Sequence, residues 1–464
     1  MRDYSLTLPD VDHAALKRHL FPGDGCEAAA ILICRRVGAD NERFIVRRVL
    51  AVPHAACTQR TPVAITWPGA FIEAAIDIAE AGGDSIILTH SHPGGQLAFS
   101  ATDDASDQNV LPSVFHAFDS DGALHGSAIM TPSGAMKARL YDRAGARSRM
   151  ARITRIGQDL TPLVGPSLSY GLPFGDEMRQ ALALMTACVI GVSGTGSLVA
   201  EQLARMGVGR LILIDFDAMG PENLNRIVNS TAEDARNKSL KPDMMAAAIE
   251  TYNSDIEIVS VGKPIETVEA IQIAASADIL FSCVDRMDAR LIAERLCGAC
   301  LIPLIDVGVT IPTRKDAAGA VHVAEIAGRI DYVRPDGPSL TDRRVVTPEG
   351  LRRDYLIDHA PQSAKVEIEA GYLKGAPDEA PAVMSVNMRA AATAVNEWLA
   401  RLYGFRVDGN GPFARTLFLL ASGEEEYASE TEFPYAKHAY FAQGLAPPLL
   451  GLPGLAENSE RAAA

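Results

Sequence analysis

From about residue 175 the sequence alternates short apolar runs with helix-length ones, and this rhythm constrains the fold more than any other feature. Residues 187–192 read as a strand, 197–206 as a helix stopped by Gly207 and Gly209, and 210–215 as a second strand. A helix at 242–252, a strand at 279–283, a helix at 288–300 and a strand at 302–307 follow. Strands that recur with helices between them predict an α/β fold with a doubly wound, mainly parallel sheet. Upstream, strand-like runs at 28–35, 44–52 and 85–89 surround a helical period at 71–81, which predicts a separate α+β domain. The predicted division is 1–145, a connector at 146–175, the wound domain at 176–444 and a loose tail at 445–464. The basic stretch 137–155 is read as connector with a solvated helix face, and the polar segment 328–381 as a long loop.

Composition narrows the class. Hydrophobic residues make up 48% and charged residues 22%, which fits a globular enzyme and excludes a mainly disordered chain. The net charge of -15 comes without a basic stripe, which argues against nucleic acid as the main partner. No apolar run approaches about 18 residues, so no membrane span is expected. The start of the chain lacks a secretory layout, and the seven cysteines are odd in number and irregularly spaced. They read as reduced thiols, and the expected location is cytoplasmic.

Two constellations carry chemistry. The first is His90-Ser-His92, directly after a predicted strand, followed by Ser100 and Asp103. Two imidazoles one residue apart and a carboxylate can supply three ligands to Zn2+, leaving a fourth position for water. Zinc lowers the pKa of such a water to about 7, and hydrolysis then needs a base. Glu27, opening the strand-like run at 28–34, is the candidate, with Glu73 and Glu80 as competitors on the predicted helix. The spacing H-x-H-x7-S-x2-D resembles the JAB/JAMM (MPN) metalloprotease family, over about residues 10–140. The resemblance implies His90, His92 and Asp103 as zinc ligands, Glu27 as general base, and Ser100 as a hydroxyl stabilising the oxyanion.

The second constellation begins at the glycine-rich turn Gly191-Val-Ser193-Gly194-Thr-Gly196, between a strand and a helix. Such turns bring backbone N–H groups to phosphates, whether of NAD, FAD or ATP. The residues that follow discriminate. Asp215 ends the second strand and suits ribose hydroxyls. Asn223, Arg226 and Lys241 come next, and Asp285 ends a later strand. Arginine and lysine suit a triphosphate under cleavage, and a late aspartate suits Mg2+. This set resembles the MoeB/ThiF and ubiquitin-activating (adenylating) family, over about residues 152–404, with "GVGRLILIDFD", "ENLNR" and "IPLIDVG" especially close. It implies a Rossmann-like domain that binds ATP and Mg2+ through Gly191, Gly194, Gly196, Asp215, Asn223, Arg226, Lys241 and Asp285. It also implies a homodimer in which Arg155, with Arg149 as rival, reaches the partner's phosphates. Ser193 departs from a glycine of the family's turn, and its Cβ would crowd a phosphate.

Relatives often pass the acyl group to a cysteine and bind a structural zinc through two C-x-x-C pairs. No cysteine follows Cys300 here, and Cys297 and Cys300 lie in a predicted helix beside a buried strand, as core residues would. Ser339 and Asp342 occupy two of the family's cysteine slots in the loop at 335–342. One reading is a lost zinc pair. The other is an oxyester on Ser339, with His359 as its base and Thr341, Ser363 and Ser385 as other hydroxyls.

The resemblances together imply an adenylating enzyme for the C-terminal tail of a ubiquitin-like protein, fused to a zinc isopeptidase or peptidase for the same protein. A conjugating enzyme is the expected further partner. Such fusions resemble parts of bacterial conjugation systems, including those in phage defence. Sulfur-carrier adenylation and an inactive ubiquitin-like-binding scaffold are the alternatives.

Overall fold

The computed structural model describes residues 4–118, 122–164, 169–315, 319–369 and 383–455. The chain forms two compact units, Met1–Tyr170 with Tyr440–Ala446, and Gly171–Ala439 with Pro447–Ala464.

In the first unit, β1 (Tyr4–Pro9) and α1 (Asp10–Leu20) lead into β2 (Ala29–Val37) and β3 (Arg43–Ala51). A small hairpin, β4 (Gln59–Thr61) and β5 (Ala64–Thr66), precedes α2 (Ala70–Glu80), β6 (Ser85–Ser91) and α3 (Ala101–His116). β7 (His125–Met130), β8 (Met136–Tyr141), β9 (Arg147–Ile156) and β10 (Leu160–Pro162) follow. The strand order is β1-β3-β2-β6-β7-β8-β9-β10, and β1 also pairs with β9, so the sheet closes on itself. Side chains alternate along a strand, and β2 uses this to serve two cores. Ala30, Leu32 and Cys34 join Leu6, Leu16, Phe44 and Ile153 in one. Ile31 and Ile33 pack against Ala75, Ala79 and Val114 from α2 and α3 in the other.

Three expectations need correcting. The first part of the expected connector at 146–175 contains β9 and β10, which belong to this sheet. Its arginines mask the strand signal, because long charged side chains reach solvent while Met150, Ile153 and Ile156 are buried. The expected loose tail is ordered through residue 455. Within it Leu450 and Leu455 are buried, and just before it Gln443 accepts hydrogen bonds from Arg35 at its backbone carbonyl (3.2 Å) and from Arg47 at its side-chain oxygen (2.5 Å). The remainder of that tail, 456–464, lies outside the described residues. The third correction, to the long loop at 328–381, falls in the second unit.

The second unit begins with α4 (Asp176–Leu182), then β11 (Thr186–Ile190), α5 (Gly194–Met206), β12 (Arg210–Ile214), α6 (Ala232–Asn237), α7 (Lys241–Glu250) and β13 (Glu257–Val261). It continues through α8 (Val268–Ala274), β14 (Ile279–Ser282), α9 (Met287–Cys300) and β15 (Leu304–Thr310). A small pair, β16 (Thr313–Lys315) and β17 (Val321–Val323), precedes β18 (Ala327–Val333), α10 (Pro348–His359), α11 (Pro361–Glu369), α12 (Met384–Tyr403), β19 (Arg415–Leu419) and β20 (Glu424–Ala428). The main sheet runs β13-β12-β11-β14-β15-β18-β19-β20. It is parallel from β13 to β15 and antiparallel beyond. The segment expected as a loop at 328–381 therefore contains a strand and two helices. α10 buries only Asp354, so it lacks the apolar stripe by which a helix is recognised. Residues 370–381 of that segment lie outside the described residues. Chain order reverses between β12 and β14 on either side of β11, and ligands of wound sheets bind at such a switch point.

Candidate functional sites

The first site lies where β2 and β6 begin and end. Their antiparallel register sets Ala29 opposite His90. Ala28 N–H donates to the Ser91 hydroxyl (2.8 Å), and Ser91 N–H donates to the Ala28 carbonyl (2.9 Å). This places Glu27 beside the two histidines. The β4–β5 hairpin holds it there, since Glu27 N–H donates to Thr61 (2.8 Å) and Arg60 Nε donates to the Glu27 carbonyl (2.9 Å). One ligand atom each from Glu27, His90 and His92 falls within 4.8 Å of the others. The Nε2 atoms of His90 and His92 are 3.1 Å apart, and the Asp103 carboxylate lies 3.1 Å from the first and 3.5 Å from the second. A tetrahedral metal with bonds of about 2.0–2.1 Å sets its ligand atoms about 3.3–3.4 Å apart. The donor set therefore fits zinc. His92 Nδ1 donates to the Gln96 carbonyl (2.9 Å), a bond that leaves its Nε2 lone pair free for a metal.

Asp103 owes its position to the start of α3. Ser100 is the N-cap: its hydroxyl oxygen accepts from Asp103 N–H (3.2 Å), while Ser100 N–H donates to the Asp103 carboxylate (2.6 Å). This reciprocal capping box is a role that the sequence reading missed, although S-x-x-D before a helix signals it. Burial raises the Asp103 pKa, but the bonds from His90, His92 and Ser100 N–H outweigh it and hold the carboxyl well below its usual range. Glu27 is buried and shifts upward, because desolvation exceeds the attraction of the two histidines. Glu73 lies in α2 and Glu80 ends it, outside this cluster.

The second site is a cleft of about 1070 Å3 along the strand ends of the wound sheet. Gly191 has φ +86°, and a Cβ on Gly196 would lie 1.8 Å from the Gly191 carbonyl oxygen, so the turn requires both glycines. Ser193 has φ -100°, a conformation open to residues with a Cβ. Gly191, Ser193, Gly194, Asp215, Asn223, Arg226, Lys241 and Asp285 all line the cleft. Asp215 accepts Val192 N–H (2.7 Å) and Asp217 N–H (2.9 Å), tying the end of β12 to the glycine turn. Burial raises its pKa against the opposing pull of Lys241 and these N–H groups. Lys241 Nζ lies 2.5 Å from Asp217 and 4.0 Å from Asp215. Asn223 accepts Gly220 N–H (2.9 Å), and Arg226 donates to the Glu222 carbonyl (2.6 Å). Asp217 and Asn387 were not assigned roles from sequence. Asn387, on α12, accepts from the Thr195 hydroxyl (3.3 Å) and closes over the turn, and nothing local announces it.

The loop at 335–346 departs from expectation. Ser339 is only 3% exposed. Its hydroxyl bonds Asp342 (3.0 Å) and accepts Asp342 N–H (3.1 Å), and Ser339 N–H donates to the same carboxylate (2.9 Å). His438, not His359, sits beside this pair, 3.1 Å from Asp342. His359 stacks on Tyr355 at the end of α10 and bonds its carbonyl (3.1 Å). Cys297 and Cys300 are buried in α9. Cys283 lines the cleft, but burial pushes its thiol far up. Arg155 lies in β9, 3.3 Å from Asp10 and donating to Thr161 (2.9 Å). No helix among the described residues is long and apolar enough to cross a membrane.

A closed α+β sheet with a His-His-Asp cluster and a wound α/β sheet with a glycine-rich turn at its switch point define the class: a two-unit protein that joins two different α/β architectures. Residues 12–140 match the family of prokaryotic homologs of the JAB domain, and residues 169–325 match the ThiF family. The chain carries a JAB domain followed by a ThiF domain. It is similar to ubiquitin-like modifier-activating enzyme 5 of Bombyx mori, with 32% identity over 124 residues, 24% of this chain and 31% of that one. It is also similar to molybdopterin-synthase adenylyltransferase of Haemophilus influenzae, with 32% identity over 131 residues, 28% of this chain and 52% of that one. The matched regions span about a third to a half of these relatives. Among solved structures, E. coli MccB with ATP matches at 17% identity with a TM-score of 0.41, covering 55% of this chain and 66% of that one.

Proposed function

We propose that the second unit adenylates the C-terminal carboxylate of a ubiquitin-like protein, and that the first unit is a zinc peptidase or isopeptidase for the same protein. The observation that carries the reading is the convergence of Asp215, Arg226, Lys241 and Asp285 on one cleft around the glycine turn. Backbone N–H groups at the start of α5 face the phosphates of Mg–ATP, and Asp215 holds the ribose. Arg226 and Lys241 stabilise charge on the phosphates, and Asp285 holds magnesium. A carboxylate oxygen of the tail attacks the α-phosphorus, the bond to the β-phosphate breaks, and acyl-adenylate and pyrophosphate result. A second copy of the chain would complete the site with Arg155, which must then leave Asp10.

In the first unit His90, His92 and Asp103 hold zinc, which when bound supplies Lewis acidity for amide hydrolysis. Glu27 takes a proton from the attacking water and returns it to the leaving amine. The Ser100 hydroxyl accepts one N–H and keeps its own proton for a developing oxyanion.

The burial of Ser339 and its bonds to Asp342 favour a second reading of the later step. The adenylate passes to an external nucleophile, as sulfur-carrier activation requires, and no oxyester forms on the chain. Carrier-dependent ATP–pyrophosphate exchange tests the first step, with loss expected in Asp285→Ala. Mass spectrometry of the chain after reaction tests the second: a thiol-stable adduct that disappears in Ser339→Ala would overturn it. Absence of exchange with every carrier from the same genome would leave only a binding scaffold.

A further inference from the structure

The chain carries a net charge of -15, yet ten lysines and arginines line its nucleotide cleft against five aspartates and glutamates. The two signs are not mixed evenly. Asp215, Asp217, Glu222, Glu266 and Asp285 follow β12, β13 and β14, at the end that holds the glycine turn. Beyond β15 the lining turns basic, with Arg329, Arg343, Arg344 and Arg415. Behind this arm, four guanidinium groups share two fully buried carboxylates. Arg290 and Arg329 bond Asp306 (3.2 and 2.6 Å). Arg343 and Arg415 bond Asp331 (3.0 and 2.9 Å), which Arg329 also contacts. Arg343 still has a buried Nη2 without an acceptor. Arg344 adds a fifth charge: it is exposed, and its side chain has no ion-pair or hydrogen-bond partner among the described residues. Its backbone has φ +57°, which a residue with a Cβ adopts at a cost.

An excess of positive charge on a low-dielectric wall is unfavourable alone and attracts an anion. The nucleotide is not that anion. Neighbouring strands lie about 4.8 Å apart, so β18 and β19 stand about 14 and 19 Å from β11. The phosphates belong at the turn after β11, with the ribose on the β12 side, away from the arm. We infer that the basic arm receives acidic side chains of the substrate's C-terminal tail. An extended chain advances about 3.4 Å per residue, which puts them about four to six residues before the terminal carboxylate. The tail is taken from the activation reading; the acidic character rests on the arm itself.

The test uses two synthetic dodecapeptides ending in Gly-Gly, identical except for glutamate or lysine at the fourth to sixth residues from the C-terminus. Binding to the full chain is measured by fluorescence anisotropy with Mg2+ and a non-hydrolysable ATP analogue, and ATP–pyrophosphate exchange is measured in parallel. The glutamate peptide is expected to bind at least about tenfold tighter, with a preference that shrinks as salt rises. Arg344→Glu is expected to remove or invert that preference. Equal binding, a lysine preference, or a glutamate preference untouched by Arg344→Glu would each overturn the inference. Exchange driven equally by both peptides overturns the acidic tail and leaves activation standing. Glutamate-selective binding without exchange supports the arm and counts against activation.

Discussion

The two candidate sites are built on different length scales. His90, His92, Ser100 and Asp103 span a strand end, a short loop and one helix cap, and the capping box positions the carboxylate within that stretch. The nucleotide cleft gathers residues from Gly191 to Arg415 and exists only when β11, β12, β14, β15, β18 and β19 are in register. Its cations are already engaged: Lys241 pairs with Asp217, and Arg226 donates to the Glu222 backbone carbonyl. A ligand there must replace existing contacts. In the His-His-Asp cluster the two Nε2 atoms face each other and the Asp103 carboxylate, an arrangement a cation satisfies without moving the donors apart. Locality thus separates the stretch 90–103, preorganised by its own sequence, from Glu27 and from the cleft, which strand pairing assembles.

The sharpest way to break this contrast is to silence one site and watch the other. Glu27→Gln keeps the shape and removes the base. Cleavage of a linear fusion to the ubiquitin-like carrier should fall by about 10³-fold or more. Zinc content by mass spectrometry and ATP–pyrophosphate exchange should stay unchanged. A parallel fall in exchange would show that the two sites are not independent.

Acid should distinguish the units through His125, in the first of them. Its side chain is fully buried between Phe115 and Phe118, with Nδ1 accepting Ile86 N–H (3.0 Å) and Nε2 without a partner among the described residues. Burial, aided by Arg36, lowers its pKa from 6.5 to about 4. The unfolded chain binds this proton first, so stability is full above about pH 6.5 and falls as pH drops toward 4. The total loss is about 3 kcal/mol. His125→Asn, which can still accept Ile86 N–H, should flatten the urea-midpoint profile of the first unit over that window. An unchanged slope would refute the assignment.

Within the cleft, Lys241→Ala should lower exchange by about 10²-fold, through lost phosphate stabilisation. It also leaves Asp217 without its partner. If Lys241→Ala, Asp217→Ala double variants recover nucleotide affinity but not exchange, the lysine acts on the reaction and not merely on the pocket's charge.

What the sequence disclosed follows the same division. The His90, His92 and Asp103 cluster was legible because its spacing is local and follows a strand. Of the parallel wound strands, β11, β12, β14 and β15 were legible because buried strands read as short apolar runs, whereas β13, whose residues are mostly half-buried or exposed, was not. β9 was not, since four arginines at 147, 149, 152 and 155 dominate its pattern and its strand character depends on pairing with β1 and β8. Asn387 and His438 were invisible for another reason: each meets its partner across about a hundred residues or more, through packing that no local period encodes.

The smallest predicted effect bears most directly on locality. If the capping box sets the metal geometry, Ser100→Ala should cost about 1 kcal/mol of stability, the usual value of an N-cap. Zinc affinity, measured by competition with a chelating dye, should fall by about 10-fold, because the Asp103 N–H loses its acceptor and the cap loosens, while the N–H of residue 100 still donates to the Asp103 carboxylate. Ser100→Thr keeps the cap and should restore both. Cleavage measured at saturating zinc then isolates the hydroxyl's other proposed role. Should Ser100→Ala regain full cleavage once zinc is restored, the serine positions Asp103 and has no part in holding the oxyanion. A deficit remaining at full zinc occupancy, and repaired by threonine, would assign it both tasks.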